Sequence, residues 1–307
     1  MIDVVRAAAR LAPYERTTPL VQALLLSREL HAHVQIKNET VSQIASFKWR
    51  GALNDVLREA KRRGVVTSST GNHGQGVAWA ATVAGVPSHV FLPRGANPTK
   101  RAKIDMFGAI IHDVGNDLDE AKAAAIEFAE DEGLRFIDDG DSEGVIEGAG
   151  TVGLEIATAV RAVDTVYVPM GSGSLAAGVA IAVKARHRNA RIVAVQSKGS
   201  PAMVESFHAR RAIERPIDTI ADGLVCRVPA QLALDLLVKH VDDAVTVSDD
   251  ELLAATRAMA LGAHILVEPS GAAGLAAAMR DDIRGKAVIL VATGANITPE
   301  VFDRLHG

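Results

Sequence analysis

Four short segments of the chain combine residue types that can carry chemistry, and the first of them centres on a lysine. Lys48 lies within Ser46–Ala52, where the sequence predicts the start of a helix. The backbone N–H groups at a helix start are partly positive and disfavour an ammonium ion, which favours a nucleophilic amine. Such a lysine can form a Schiff base. An ordinary surface lysine on a first helical turn would show the same spacing, so this segment alone leaves both interpretations open.

The second segment follows a predicted strand and is dense in hydroxyl, amide and glycine residues. It contains Ser69, Thr70, Gly71, Asn72 and His73. Side-chain donors and the accessible N–H groups of glycine form a cradle that suits a carboxylate or a phosphate. The alternative is a polar turn from strand to helix, whose glycines only provide backbone freedom. The density of polar groups favours a binding site.

The third segment follows another apolar strand and precedes an alanine-rich helix. Its members are Gly171, Ser172, Gly173, Ser174 and Leu175. Glycine lets backbone N–H groups approach a phosphate, and the helix N-terminus favours its charge. With Ala176 the segment also matches the dinucleotide fingerprint G-x-G-x-x-A, which indicates an NAD(P)-dependent dehydrogenase. That interpretation requires an acidic residue at the end of the next strand, where this chain has Gln196.

The fourth segment lies near the C-terminus, where Thr293 follows an apolar strand. Its hydroxyl would point out of the strand end towards the other segments. A turn residue that caps the following backbone is an equally good interpretation of Thr293 on its own.

The elements that must position these segments alternate along the chain as they do in α/β proteins. Predicted strands are His33–Glu39, Gly64–Ser69, His89–Arg94, Ile110–Val114, Thr165–Met170, Arg191–Gln196, Ala244–Val247 and Ala287–Ala292. Helices are predicted over Ala121–Asp131 and Leu252–Leu261, the second preceded by a capping box from Ser248 to Glu251. Ligands of open α/β sheets bind at the carboxyl ends of strands, so the four segments should converge in one crevice.

Composition narrows the class of protein further. The chain has 307 residues and a formal charge of −4, which argues against a nucleic-acid or anionic-membrane surface. Its single cysteine, Cys226, is interpreted as a small buried hydrophobic residue. No apolar run approaches the ~20 residues of a membrane span, and the first residues show no signal-peptide pattern. We therefore expect a cytoplasmic protein.

In their order and spacing, the segments resemble the serine/threonine dehydratase family of fold-type-II pyridoxal-phosphate enzymes, which includes serine racemase. Further matching motifs are Thr18-Pro19-Leu20, Lys37-Asn38-Glu39, Gly148–Glu155, Ala221-Asp222-Gly223, Val267-Glu268-Pro269 and Thr293–Asn296. The resemblance implies a two-lobe α/β fold like that of the tryptophan synthase β-subunit, with open, mostly parallel sheets flanked by helices. We expect a large lobe of residues 1–60 and 142–307, a small inserted lobe of residues 61–141, and a homodimer.

The resemblance also implies pyridoxal 5'-phosphate as cofactor and gives residues their roles. Lys48 matches the Schiff-base lysine, Phe47 the residue that packs on the cofactor ring, and Asn72 the partner of its phenolic oxygen. Residues 171–175 match the phosphate loop, with serines where glycines are usual. Thr293 matches the partner of the pyridine nitrogen. Residues 69–73 match the loop that binds the substrate carboxylate.

The implied reaction is β-elimination from a small β-hydroxy-amino acid such as threonine or serine, giving a 2-oxo acid and ammonia. A serine- or aspartate-type racemase is the alternative, with Thr70 as a second acid–base residue. A non-catalytic amino-acid-binding module is a third possibility. We expect no metal, because Gln196 and Ala202 occupy the positions of the family's acidic cation ligands, and no C-terminal regulatory domain.

Overall fold

The computed structural model describes residues 2–14, 16–58 and 63–305, which fold into two open sheets flanked by helices. Their strands are β1 Leu20–Gln22, β2 His33–Asn38, β3 Val65–Ser68, β4 Ser88–Leu92, β5 Ile110–Asp113, β6 Arg135–Phe136, β7 Thr165–Pro169, β8 Arg191–Ser197, β9 Asp243–Val247 and β10 Ala287–Ala292. The α/β class predicted from the sequence is confirmed.

The helices that follow and precede these strands lie on the faces of the two sheets. They are α1 Val4–Leu11, α2 Leu24–Glu29, α3 Lys48–Arg58, α4 Asn72–Ala84, α5 Pro98–Asp105, α6 Leu118–Asp131, α7 Glu143–Ala159, α8 Ser174–Arg186, α9 Ala202–Ala209, α10 Gln231–His240, α11 Asp249–Ala263, α12 Ala273–Ala278 and α13 Pro299–Asp303. Within the described part of the chain, none of them is long and apolar enough to span a membrane.

The larger sheet has six strands in the order β1-β2-β10-β7-β8-β9, with all neighbours parallel except β1 and β2. The last strand of the chain, β10, thus lies between β2 and β7. Its residues alternate between two cores, since Ile289 and Val291 pack in one cluster and Val288 and Leu290 in the other. Helices therefore cover both faces, which explains why these strands are apolar throughout.

The smaller sheet has four parallel strands in the order β5-β4-β3-β6, all within residues 65–136. The helices α3 and α7 flank this stretch in sequence and pack against each other. The predicted lobe boundary between residues 60 and 61 lies outside the described residues, and the division into two lobes stays a prediction.

All eight predicted strands are present, with ends within two residues of the predicted ones. The structure adds β1 and β6, which have three and two residues and are too short to show a period. The capping box is confirmed: the Ser248 hydroxyl accepts from the N–H of Glu251, whose carboxylate accepts from the N–H of Ser248. Helix α3 begins at Lys48, as predicted.

A buried cluster of charges fixes α3 against the rest of the large sheet. The Arg50 guanidinium is 1% exposed and donates to both oxygens of Glu39, at 2.8 and 3.0 Å. It also donates to both oxygens of Glu155 on α7, at 2.7 and 2.9 Å, and to the Thr151 hydroxyl at 2.9 Å. The Lys37 ammonium completes the cluster with a 2.6 Å bond to the Thr18 carbonyl. Because Arg50 lies two residues after Lys48, this cluster positions the lysine.

Replacing Arg50 with alanine should destabilise the protein strongly, because Glu39 and Glu155 would keep Lys37 but lose the second of the two cations that neutralise them in the interior. Breaking a buried ion pair by removing one partner typically costs about 3–5 kcal/mol. The free energy of unfolding can be measured by urea denaturation. The control is Arg101→Ala, which removes an exposed pair with Asp113 and should cost about 1 kcal/mol or less. Equal losses in the two variants would contradict the role of the buried cluster.

Candidate active site

The two sheets enclose a cleft of about 550 Å³ near the carboxyl ends of β3 and β10. Residues that line it include the predicted Phe47, Lys48, Ser69, Thr70, Gly71, Asn72, His73, Ser172 and Thr293. A side cavity of about 20 Å³ is lined by all of Gly171, Ser172, Gly173, Ser174 and Leu175, together with Phe47, Lys48 and Thr293. The structure thus brings together all four segments that the sequence singled out.

Lys48 points into the cleft from the first residue of α3, and its side chain is 12% exposed. Its Nζ lies 4.9 Å from the centre of the Phe47 ring. The Phe47 N–H donates to the Thr293 carbonyl at 3.0 Å, and Ser46 pairs with Gly294 as an isolated β-bridge. These bonds hold the lysine segment directly beside the end of β10.

The loop of residues 171–175 leads from β7 into α8, so its N–H groups belong to a helix N-terminus. Gly173 has φ of +94°, a conformation that favours glycine, and a Cβ on Gly171 would lie 2.7 Å from the Gly223 carbonyl oxygen. Leu175 is buried in the core and anchors the first turn. The loop can therefore bind an anion through its backbone, even though two glycines of the usual pattern are serines.

Asn72 begins α4 and joins the two sides of the cleft through its amide. Its Nδ2 donates to Glu268 Oε1 at 2.7 Å, and its Oδ1 accepts from Asn296 Nδ2 at 2.8 Å. Burial raises the pKa of Glu268 to about 7, and the nearby Asp222 adds to the effect. The sequence placed Glu268 in a motif but gave it no role; the structure places its carboxyl group in the cleft wall.

Asp139 is a second acidic residue that the sequence analysis missed. It lies in the cleft wall, forms an ion pair with the Lys48 ammonium and accepts from the Ser172 hydroxyl at 2.9 Å. Its position three residues after the two-residue strand β6 is typical of ligand-binding residues, which follow strand ends. That strand is too short to recognise from sequence.

The interpretation of Cys226 as a buried core residue was only partly correct. Its side chain packs against the core but is half-buried, and it lines the cleft because it lies on the loop before α10. Burial raises the pKa of the thiol to about 12, and the neighbouring Asp139 adds to this, so Cys226 is a neutral thiol at neutral pH.

The two positions that match the family's cation ligands carry no carboxylate. The Gln196 amide oxygen accepts from the Val204 N–H at 3.1 Å, and its nitrogen donates to the Leu224 carbonyl at 3.4 Å. Ala202 is fully buried at the start of α9. Among the described residues no three His, Cys, Asp or Glu side chains form a group suited to a metal ion.

The chain belongs to the family of pyridoxal-phosphate-dependent enzymes, whose model matches residues 11–294. It is 35% identical to the L-threonine ammonia-lyase of Thermotoga maritima over 99% of this chain and 77% of that protein. Maize serine racemase superposes with a TM-score of 0.93 at 32% identity, covering 99% of this chain and 95% of that one. The processed form of threonine deaminase isoform 2 from Solanum lycopersicum superposes with a TM-score of 0.91 at 29% identity, covering 98% and 92%.

The residues of the cleft fit the family's cofactor. Lys48 supplies an amine for covalent attachment, the loop of residues 171–175 lines the side cavity at the N-terminus of α8, and Thr293 presents a neutral hydroxyl. The fold-type-II resemblance and the pyridoxal-phosphate cofactor predicted from the sequence are therefore confirmed. Residues 171–176 match the dinucleotide fingerprint, but the chain belongs to the pyridoxal-phosphate family, so the dehydrogenase alternative is wrong.

The raised pKa of Glu268 predicts a pH dependence of stability. The folded protein retains this proton up to about pH 7, whereas an unfolded glutamate has an ordinary pKa of ~4.5. The free energy of unfolding should therefore fall by up to a few kcal/mol as pH rises from ~4.5 to ~7, and change little above. In Glu268→Gln this contribution should disappear, while Glu214→Gln, at an exposed carboxylate, should leave it intact. If the free energy of unfolding of Glu268→Gln, measured by urea denaturation, falls with pH as much as that of the parent, the raised pKa of Glu268 is not the cause.

Proposed function

We propose that the protein removes the β-hydroxyl and the amino group of a small β-hydroxy-amino acid, giving a 2-oxo acid and ammonia. The single observation that supports this most is the position of the Lys48 amine. It lies in one cleft with an anion-binding loop, a polar substrate loop and a neutral hydroxyl at Thr293. The curated relatives are named as lyases of threonine, so threonine is the first substrate to test and serine the second.

In this proposal the cofactor is held at five points. Lys48 would form the covalent link, the N–H groups of residues 171–175 would bind the phosphate, and Phe47 would pack beside the ring. The Asn72 amide, fixed by its bonds to Glu268 and Asn296, would bind the phenolic oxygen. The Thr293 hydroxyl would be the partner of the pyridine nitrogen. When bound, pyridoxal phosphate supplies an electron sink next to the substrate Cα.

The substrate carboxylate binds to the loop of residues 69–73. This loop leads into α4, so its N–H groups lie at the positive end of a helix of 13 residues. The Gly71 N–H donates to the Ser69 hydroxyl oxygen at 3.2 Å, which fixes the Ser69 side chain within the loop. A Cβ on Gly74 would lie 2.3 Å from the Ser69 carbonyl, so this glycine is what lets the loop fold back on the helix.

With the cofactor bound, the Lys48 amine would lie beside the substrate Cα and would take its proton. Breaking the Cα–H and Cβ–O bonds expels water and forms the Cα–Cβ double bond. Addition of water and loss of ammonia then give the 2-oxo acid, so that the overall change in composition is the loss of ammonia. A neutral Thr293 hydroxyl suits this reaction, because a carboxylate at that position would hold the ring nitrogen protonated and favour side reactions.

Racemisation is the second candidate function, and the position of Thr70 favours it. Thr70 lies in the cleft wall at the tip of the substrate loop, where its hydroxyl could deliver a proton to the opposite face of Cα. The structural similarity to maize serine racemase also supports racemisation as a candidate function. Elimination remains first because the curated relatives are named as lyases.

We also propose that the protein is a cytoplasmic homodimer. Leu24 and Leu25 on α2 and Leu261 on α11 are exposed, and the two helices pack together through Leu26 and Gly262. These side chains form an apolar surface for a second copy of the chain. Nothing in the acidic charge of the protein favours a nucleic-acid partner.

Lys48→Ala should abolish cofactor attachment and turnover, because Lys122 is then the remaining described lysine that lines the cleft, and its amine is paired with Asp138 at 2.6 Å. Borohydride reduction of the cofactor-loaded protein, followed by peptide mapping, should place the label on Lys48. Lys103→Ala is the control. Lys103 donates to Asn296 and is not among the residues that line the cleft, so the label should stay on Lys48 in this variant. A label on Lys103 or on the buried Lys37 would contradict the assignment.

Thr70→Ala distinguishes the two candidate functions. In a dehydratase, loss of one neutral hydrogen bond to the substrate costs ~0.5–1.5 kcal/mol, which raises KM about 2- to 12-fold. In a racemase, Thr70 is an acid–base residue and its loss lowers formation of the D-isomer about 10²- to 10⁴-fold. The assay follows 2-oxo acid and D-isomer from the same L-substrate. Thr158→Ala is the control, because that hydroxyl bonds only to helix carbonyls. D-isomer made by the parent and lost in Thr70→Ala, with elimination intact, would reverse the order of the candidates.

A further inference from the structure

Asp139 is the carboxylate in direct contact with the lysine of the cleft. Its Oδ2 forms the ion pair with Lys48 Nζ and accepts the 2.9 Å bond from Ser172 Oγ. Ser172 belongs to the anion-binding loop and Lys48 to the first turn of α3, so Asp139 connects the two parts of the cofactor site. None of the functions assigned so far uses this carboxylate.

His73 approaches the other oxygen of Asp139. Its Nε2 lies 3.2 Å from the Ile137 carbonyl, which can only accept, so Nε2 carries a proton. Its Nδ1 lies 3.4 Å from Asp139 Oδ1, and both atoms are buried without a hydrogen-bond partner among the described residues. The geometry therefore places the edge of the His73 ring beside the second carboxylate oxygen of Asp139.

The other ionisable groups near Asp139 do not neutralise it. Asp138 is paired with Lys122 at 2.6 Å, so this pair has no net charge. Cys226 is a neutral thiol. Burial acts to raise the pKa of Asp139, but the charge of Lys48 and then that of His73 outweigh it and lower the pKa to about 2. The carboxylate is thus ionised at neutral pH and faces the Lys48 ammonium and the His73 ring.

We propose that Asp139 is a positioning residue that orients the Lys48 nitrogen and stabilises positive charge on it. In the resting enzyme it stabilises the protonated form of the link between Lys48 and the cofactor. During turnover it stabilises the ammonium that forms when Lys48 takes the Cα proton, and this second part rests on the proposed elimination. The Ser172 hydroxyl holds one oxygen of the carboxylate by a hydrogen bond, and the His73 ring lies beside the other oxygen.

The test uses the cofactor-loaded enzyme without substrate and follows the visible absorption of the bound cofactor against pH. In Asp139→Asn, which keeps shape but removes charge, the midpoint of the spectral change should move down by about 1–3 pH units, because an opposite charge has been lost. Asp139→Glu, which keeps the charge, should restore most of the shift. Asp141→Asn is the matched control: the same change two residues along, at an exposed side chain outside the cleft, should leave the midpoint unchanged.

Turnover provides a second measurement with threonine or serine. In Asp139→Asn the value of kcat should fall about tenfold or more while KM changes little, because the lost interaction acts on proton transfer and not on substrate binding. The basic limb of the pH profile should move in step with the spectral midpoint. Melting temperatures of all variants identify any that have not folded.

The proposal is wrong if folded Asp139→Asn shows the parent's spectral midpoint, or if Asp139→Glu shifts it as far as Asp139→Asn. The second result would mean that Asp139 acts through packing alone. The spectral measurement needs no substrate, so it decides the role of Asp139 even if the enzyme proves not to eliminate the β-hydroxyl. Failure of the elimination assay with an intact spectral shift would overturn the proposed function only.

Discussion

The double ion pair of Arg50 is the interaction on which the rest of the site depends. It links Glu39, which follows β2, to Glu155 on α7, and it does so from the first turn of α3. These three elements carry the chain into and out of the smaller sheet. A buried ion pair adds little net stability compared with apolar packing, but its two-pronged geometry allows one arrangement of the partners. The main effect of this ion pair is thus to fix the direction in which Lys48 points.

The site also requires that segments distant in sequence end at the same edge of a sheet. Parallel strands achieve this, because every right-handed crossover returns the chain to the same end of the sheet. The loop after β3, the loop after β7 and the residue after β10 therefore meet at one cleft, although Thr70 and Thr293 are far apart in the chain. Backbone bonds such as that from Phe47 to Thr293 then turn this approximate convergence into fixed geometry.

Much of the fold and of the site could be predicted from the sequence, because the sequence patterns that indicate them are local. Apolar runs identify buried strands, and polar or glycine-rich loops after them identify the site. Asp139 and Glu268 could not be assigned a role in the same way, since what matters is which partner each carboxylate meets: Lys48 for one and Asn72 for the other. Lys48 and Asp139 are separated by 91 positions in the sequence, and Asn72 and Glu268 are separated by 196. Cys226 was placed in the core for a similar reason, because composition says nothing about which wall a loop forms.

The place of β10 in the larger sheet has a consequence for how the chain is made. Of the ten described strands, this one leaves the ribosome last, yet it lies between β2 and β7, which are synthesised much earlier. The larger sheet cannot close until it arrives, and such long-range pairing is slow. The smaller sheet is built from one continuous stretch and can fold during synthesis. The cleft therefore forms last, when the arriving strand brings Thr293 beside Phe47, and a ribosome that stops short of it releases a chain with one finished sheet and no active site.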